Sequence, residues 1–365
     1  MEIRLSRNDL MGELGPMQGV VERKSTIPVL SHILLRVEEG GLFLAATDLD
    51  VSLTSFCQGE VKSEGAIAIQ ARKFIEIIRA SAGDEVLLRQ DDESSLGIRV
   101  GRSRFKINGL SAEDFPTLPE VEGDERVSIP YTQLRGMISK VLFAVSTEES
   151  RFQLNGALMK MGEDSLSIVA TDGYRLALVE NELGGAADSD GVLVPRKALQ
   201  ELLRLEGDGE VAFGSSEHHL SFKVGRRELI CRILEGTFPD YERVIAKDND
   251  KSVLLDRKQL NEAVQRVALL TGDRARAIRC EFNSGMVTIS AMNPDLGEAV
   301  EELECEFSGE TVKIGVNPDY MSHFLGAVGT DQVKLDLKDE NTQCVGFPVE
   351  GGDRRYLCVI MPMRI

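Results

Sequence analysis

Apolar residues recur at every second position through Leu42, Leu44 and Ala46, and again at Val211 and Phe213, the alternation of strands with one buried face. Segments 5–21, 129–146 and 255–272 carry helix-like spacing instead. So do the later parts of 66–80, 191–205 and 311–325, each of which opens on a short apolar strand. Strand pairs follow every helix. The first pairs turn at Glu39-Gly40-Gly41, Gly162-Glu163-Asp164 and Asn283-Ser284-Gly285, and the second couple 84–90 with 97–107, 209–215 with 220–234, and 331–337 with 344–363. Ser6, Asp256 and Asn317 stand where helix N-caps belong, and Pro130, Pro195 and Pro318 suit first turns. The pattern predicts six helices and three sets of antiparallel sheets, an α+β fold.

Laid under one another, these elements form one unit written three times, with 30–53, 154–178 and 276–303 as the clearest copies. Thr47-Asp48 recurs at Thr171-Asp172 and Phe115-Pro116 at Phe238-Pro239, spacings of about 120 residues, so the unit is a domain rather than a short solenoid repeat. The predicted domains are 1–122, 126–247 and 251–365, joined by short charged linkers at 120–125 and 246–251 whose brevity suggests fixed geometry. Each unit is itself doubled, helix plus strand pair occurring twice.

Composition narrows the function. With 365 residues and 42% hydrophobic content, three ordinary cores are affordable. No run of 18 apolar residues and no charged-then-apolar leader is present, which predicts a soluble cytoplasmic protein. Cys57, Cys231, Cys280, Cys305, Cys344 and Cys358 lack C-x-x-C spacing and fall mostly on strand patterns, as buried reduced thiols do. His32, His218, His219 and His323 are scattered, without partners at ligand spacing, and read as surface or turn residues with no metal to bind. No nucleophile elbow, phosphate loop, dinucleotide fingerprint or H-E-x-x-H motif occurs, so neither a catalytic site nor a cofactor is expected.

The net charge of −18 argues against a general nucleic-acid binder, yet the six helix segments together are slightly positive, which leaves the sheets and loops strongly acidic. Arg72-Lys73 and Arg196-Lys197 occupy equivalent helix starts in copies one and two, while copy three has Pro318-Asp319. On a strand reading Arg102, Arg104 and Lys106 share one face, and Glu302, Glu304 and Glu306 share another near the opposite end of the chain.

Four motifs in order, Ala170-Thr171-Asp172-Gly173-Tyr174-Arg175-Leu176, Val194-Pro195-Arg196-Lys197, Phe238-Pro239-Asp240-Tyr241 and Met361-Pro362-Met363-Arg364-Ile365, resemble the bacterial DNA polymerase III beta subunit family, the sliding clamps. The resemblance covers essentially the whole chain. It implies a head-to-tail homodimer whose six similar domains ring duplex DNA, helices inside and sheets outside. Such a ring is a non-catalytic processivity factor that holds DNA without sequence specificity and tethers the replicative polymerase subunit, the clamp loader and other clamp-motif proteins, with no membrane contact. Carried over by position, the DNA-facing residues are Lys24, Arg72, Lys73, Arg151, Phe152, Gln153, Arg196 and Lys197. Lys24 stands where Arg is familiar, and Gln153 where a second aromatic occurs. The implied peptide pocket comprises Leu154, Thr171, Gly173, Tyr174, Arg175, Leu176, Pro239, Arg243, Val244, Asn317, Tyr320, Val359, Ile360, Met361, Pro362, Met363 and Arg364. The implied dimer contact adds Phe105, Leu269 and Leu270 to the charged residues of the two strand faces. The polarizable thioethers of Met361 and Met363 suit several apolar ligands, and Gly173 permits a tight turn beneath them.

Two rivals share parts of this pattern. A scaffold arc of three domains would keep the repeat and the pocket without a positive inner face. An enzyme would use Thr171, Asp172 and Arg175 as an acid and cation cluster, but Thr47-Asp48 repeats the first two residues in copy one.

Overall fold

The computed structural model describes every residue except 23–25, 93, 122–125, 185–189, 273–275, 351 and 365, so Lys24 lies outside the described residues. Two compact units divide the chain, residues 1–135 with 197–233 and residues 136–196 with 234–365, and the division falls inside the second sequence copy.

Among the described residues there are six α-helices: α1 (Arg7–Val20), α2 (Ala71–Ala80), α3 (Tyr131–Val141), α4 (Arg196–Arg204), α5 (Arg257–Ala268) and α6 (Pro318–Ala327). Ser6, Asp256 and Asn317 cap α1, α5 and α6 by accepting from the amides of Asp9, Gln259 and Asp319. Gln70 does the same for α2 from the amide of Lys73, a cap its residue type did not announce. Pro318 opens α6 as expected, but Pro130 and Pro195 end the strands Val127–Pro130 and Val192–Pro195, one residue before their helices begin.

The first residue of the leading helix in each copy ties down the end of the second helix. Arg7 donates to the carbonyls of Ile78 (2.9 Å) and Arg79 (2.8 Å). Tyr131, fully buried, donates its hydroxyl to Leu202 (2.7 Å) and reaches the Leu205 carbonyl as well. Arg257 donates to Leu325 (3.2 Å) and Thr330 (2.6 Å). The carbonyls of Ile78, Arg79, Leu202 and Leu325 are ones that a helix leaves without an internal partner, so one position solves the same problem three times.

In the first unit twelve antiparallel strands form one sheet. The 13-residue strand Val51–Ser63 is its hub. One edge pairs with Gly41–Thr47, and the other carries Glu2–Ser6 at one end and Arg227–Arg232 at the other. The second unit holds an eight-stranded sheet, in which Arg175–Glu182 pairs with Arg355–Ile360, and a four-stranded sheet ending on Gly297–Glu304. Copies therefore share sheets through backbone hydrogen bonds rather than keeping three separate ones. Helix faces supply the cores: Leu10, Leu14, Met17 and Val20 of α1 and Phe74 and Ile78 of α2 have no exposed surface. Each such burial contributes roughly 1.5–3 kcal/mol.

Five cysteines are buried and Cys305 is half-buried, all as free thiols. Burial pushes Cys57 up to about 11, and Cys231, Cys280 and Cys358 to about 12, so they stay protonated and unreactive. Among the described residues no helix is long and apolar enough to cross a membrane, and no three His, Cys, Asp or Glu side chains gather as a metal site.

Candidate functional site

Thr171-Asp172 builds a turn. Thr171 Oγ1 donates to the Arg175 carbonyl (2.7 Å) and accepts from the Gly173 amide, while Asp172 Oδ1 accepts from the amides of Tyr174 and Arg175 at 3.0 Å each. Thr47-Asp48 makes the same turn, with Leu49 at φ 80° where Gly173 is at φ 89°. In the second unit this turn presents Tyr174, half exposed, at the end of the strand pair Arg175–Glu182 and Arg355–Ile360. Beyond that pair the chain end is stitched to the sheet: the Met361 amide donates to Tyr174 (2.9 Å) and the Met363 amide to Gly315 (2.8 Å).

Leu176 and Val359 lie in a buried cluster with Val169, Leu178, Ile245, Val345 and Leu357, against which Phe238, Tyr241 and Val244 pack. Leu154, Thr171 and Ile360 are buried too, and the side chain of Asn317 is spent on its helix cap. The predicted pocket residues thus sort into a buried floor and an accessible rim. The rim comprises Gly173, Tyr174, Pro239, Arg243, Tyr320 and the segment Met361, Pro362, Met363 and Arg364.

Arg175 is 9% exposed and held from four sides. Its Nε donates to Asp172 Oδ2 (2.9 Å), Nη1 donates to His323 Nδ1 (2.7 Å), and its guanidinium carbon lies 4.4 Å from the Tyr320 ring centre and 5.3 Å from that of Phe143. His323 is exposed, as a surface or turn residue should be, but its contact with Arg175 and the place of Phe143 were not expected. One signal existed: Tyr320 and His323 are three apart on α6 and so share its face.

The cationic candidates divide. Arg72 and Lys73 are exposed and pair with Glu76, both at 2.8 Å; such pairs are worth little and exchange readily for another anion. Phe152 is 56% exposed, and Gln153 is half-buried. Arg151 donates to the Asp172 carbonyl (3.2 Å) and lies 5.9 Å from the Tyr174 ring centre. Arg196 and Lys197 are committed elsewhere. Arg196 donates to the Val145 carbonyl (2.8 Å), and Lys197 donates to the Val20 carbonyl (2.8 Å) and pairs with Asp48, whose carboxylate is nearly buried. Withdrawing Lys197 would remove the cation beside a nearly buried carboxylate, so Lys197 also braces the fold.

Two sheet edges carry opposite charge. The strand Ser103–Leu110 pairs along one side with Ser95–Val100, but along the other only Gly109 and Leu110 find partners. Arg104, Phe105 and Lys106 are exposed there, with Phe105 on the face of Ile98; Arg102 is exposed too, but in the turn before the strand, so it does not share the strand face expected for it. Gly297–Glu304 is likewise an edge, from which Glu298, Val300, Glu302 and Glu304 point outward while Glu301 turns inward to Arg266 (2.6 Å). Glu306 lies past the strand, its backbone bridged to Leu254. Leu269 is 76% exposed, and Leu270 half-buried, at the end of α5. Met292, Leu296 and Val300 are exposed as well and were not foreseen.

Comparison with known proteins adds the decisive observation. Family models of the DNA polymerase III beta subunit match in series, the N-terminal domain at residues 1–119, the central domain at 128–240 and the C-terminal domain at 242–364. The chain belongs to the beta sliding clamp family. The beta sliding clamp of Pseudomonas aeruginosa is 38% identical over the full length of both chains. A solved Pseudomonas aeruginosa sliding clamp bound to griselimycin superposes with TM-score 0.94 at 37% identity, and one from Bartonella birtlesii, also bound to griselimycin, with TM-score 0.95 at 33%; each covers both chains completely. The chain's function is that of a DNA sliding clamp, built from three tandem clamp domains.

Within the clamp chain the first copy keeps an apolar cluster around Leu34, Ala45 and Phe115, but its floor is more polar. Thr47 faces Ser52 where Thr171 faces Leu176, and Thr54 faces Glu228 where Leu178 faces Leu357. The corresponding groove, about 630 Å³, includes Arg36, Phe43, Phe115, Arg126 and Glu228, with Arg126 bound to Glu228 at 3.1 Å. The repeat keeps its turn and changes its lining.

Proposed function

We propose that two copies of this clamp chain join head to tail and close a ring around duplex DNA, with the basic edge at Arg102, Arg104 and Lys106 of each copy meeting the acidic edge at Glu298, Glu302 and Glu304 of the other. The observation that carries this reading is the pair of open sheet edges of opposite charge. Extending one sheet into another satisfies the unpaired backbone of both edges, and complementary charge fixes the orientation of a heterologous contact. Phe105, Leu269 and Leu270 supply its apolar part. Arg72, Lys73, Arg151 and Phe152 touch DNA loosely, through phosphates rather than bases, which permits sliding. The ring is not an enzyme, works in the cytoplasm, and carries partners such as the replicative polymerase subunit and the clamp loader on the rim around Met361 and Met363. That two relatives were solved with griselimycin supports a ligand surface of this kind, and griselimycin is the natural probe for it.

Light scattering on two charge-swapped chains tests the ring. With Arg102→Glu and Arg104→Glu, or with Glu302→Arg and Glu304→Arg, each chain alone should lose at least about tenfold in dimer affinity. An equimolar mixture should recover dimers, because both of its interfaces are again complementary. Undiminished dimers of the single chains, or a mixture that stays monomeric, would place the contact elsewhere.

A further inference from the structure

Arginine has no acceptor, so the 2.7 Å contact between Arg175 Nη1 and His323 Nδ1 requires the imidazole to accept there. A neutral ring with its proton on Nε2 meets that requirement. An imidazolium does not: it would set two donors and two positive charges against each other. We propose that His323 is a positioning residue for the peptide surface. As a neutral imidazole it locks Arg175 across Tyr320, and its protonation releases the lock, so that ligand capture weakens as the solution turns acidic. The inference rests on the pocket reading above.

The lock is built from both sides of the site. Arg175 belongs to the strand that forms the pocket floor, and its stem and the Tyr320 ring are adjoining wall surfaces, joined by the guanidinium 4.4 Å from the ring centre. His323 also stacks on Phe143, ring centres 6.2 Å apart and planes 23° from parallel, which fixes the orientation of Nδ1. With the acceptor lost, Asp172 still holds Nε, but Nη1 loses its His323 partner, and the guanidinium is free to leave Tyr320. The charged and titratable groups facing the imidazole are Arg175, Asp172, Asp319 and Tyr320, and Asp319 is itself held by Arg276 at 2.8 Å. His323 keeps enough accessible surface for protons to reach it.

Partial burial and then Arg175 lower the imidazole's proton affinity, and Asp319 and Asp172 oppose them more weakly. The unfolded chain therefore takes up the proton first. The lock's contribution is complete above the ordinary histidine value of about 6.5 and is lost as pH falls below it.

Titrating the full-length chain with griselimycin between pH 8 and pH 5 tests the proposal. The natural chain should lose about tenfold in affinity on acidification, the equivalent of one pKa unit of coupling. His323→Gln, which keeps an acceptor that cannot titrate, should bind as the natural chain does at pH 8 and show a flat profile. His323→Phe, which keeps the stacking ring alone, should bind weakly throughout. A flat profile in the natural chain, or the same acid loss in His323→Gln, overturns the proposal. Nitrogen NMR of the His323 ring separates the lock from the pocket. The Nε2–H tautomer at pH 8 supports the lock even if griselimycin does not bind, an outcome that would overturn the pocket reading instead; the Nδ1–H tautomer overturns the lock whatever binds.

Discussion

Gly173 shows how tightly single positions are specified. Its φ of 89° alone would cost an alanine about 1–2 kcal/mol, a strain that Leu49 tolerates at the equivalent turn of copy one. At Gly173 a Cβ would also lie 2.7 Å from Arg151 Nη1. Gly173→Ala should therefore lower stability by about 1–2 kcal/mol in urea titration and, unlike a change at Leu49, weaken griselimycin binding by displacing Arg151 from beside Tyr174. An unchanged affinity would mean that Arg151 and Tyr174 do not act together. Sequence made Thr171-Asp172 visible as repeated letters and Gly173 as a turn residue, but not that the side chains of the turn are fully occupied. His323 stayed hidden because its partner Arg175 is 148 residues away and comes near only through the pairing of Arg175–Glu182 with Arg355–Ile360.

Helices were the legible elements, since periodicity and caps are local: Ser6, Asp256 and Asn317 announced α1, α5 and α6. What the letters did not show is how a helix is fastened. Arg7, Tyr131 and Arg257 occupy one repeat position yet differ chemically, so only their shared targets, the ends of α2, α4 and α6, reveal the common role. Tyr131→Phe keeps the ring and removes the hydroxyl that serves two buried carbonyls. It should lower stability by about 1–3 kcal/mol in thermal or urea unfolding without altering ligand binding. A loss under 0.5 kcal/mol, within the range of ordinary surface changes, would show that the end of α4 is satisfied by other means. Strands were legible as alternation, but not their neighbours. Val51–Ser63 carries the same pattern whether it pairs with Gly41–Thr47 or with Arg227–Arg232, because sheet sharing is a matter of backbone groups. For the same reason the charges at Arg104 and Glu302 could be seen in the letters, but not that their strands lie at open edges.

For the molecule as a whole, a net charge of −18 and a DNA-holding function are compatible only if retention is topological. Affinity built from phosphate contacts would need many basic residues and would resist sliding, whereas a closed ring needs few. The commitment of Arg196 to the Val145 carbonyl and of Lys197 to Asp48 fits this economy. Loading the full-length protein, with a clamp loader, onto a nicked circular duplex and then cutting the circle once is the most direct measurement of the central claim. Gel filtration should show the protein retained on the circle at a salt concentration that abolishes phosphate contacts, and released when the ends are freed. Equal retention on circular and linear DNA, or none on the circle, would contradict it.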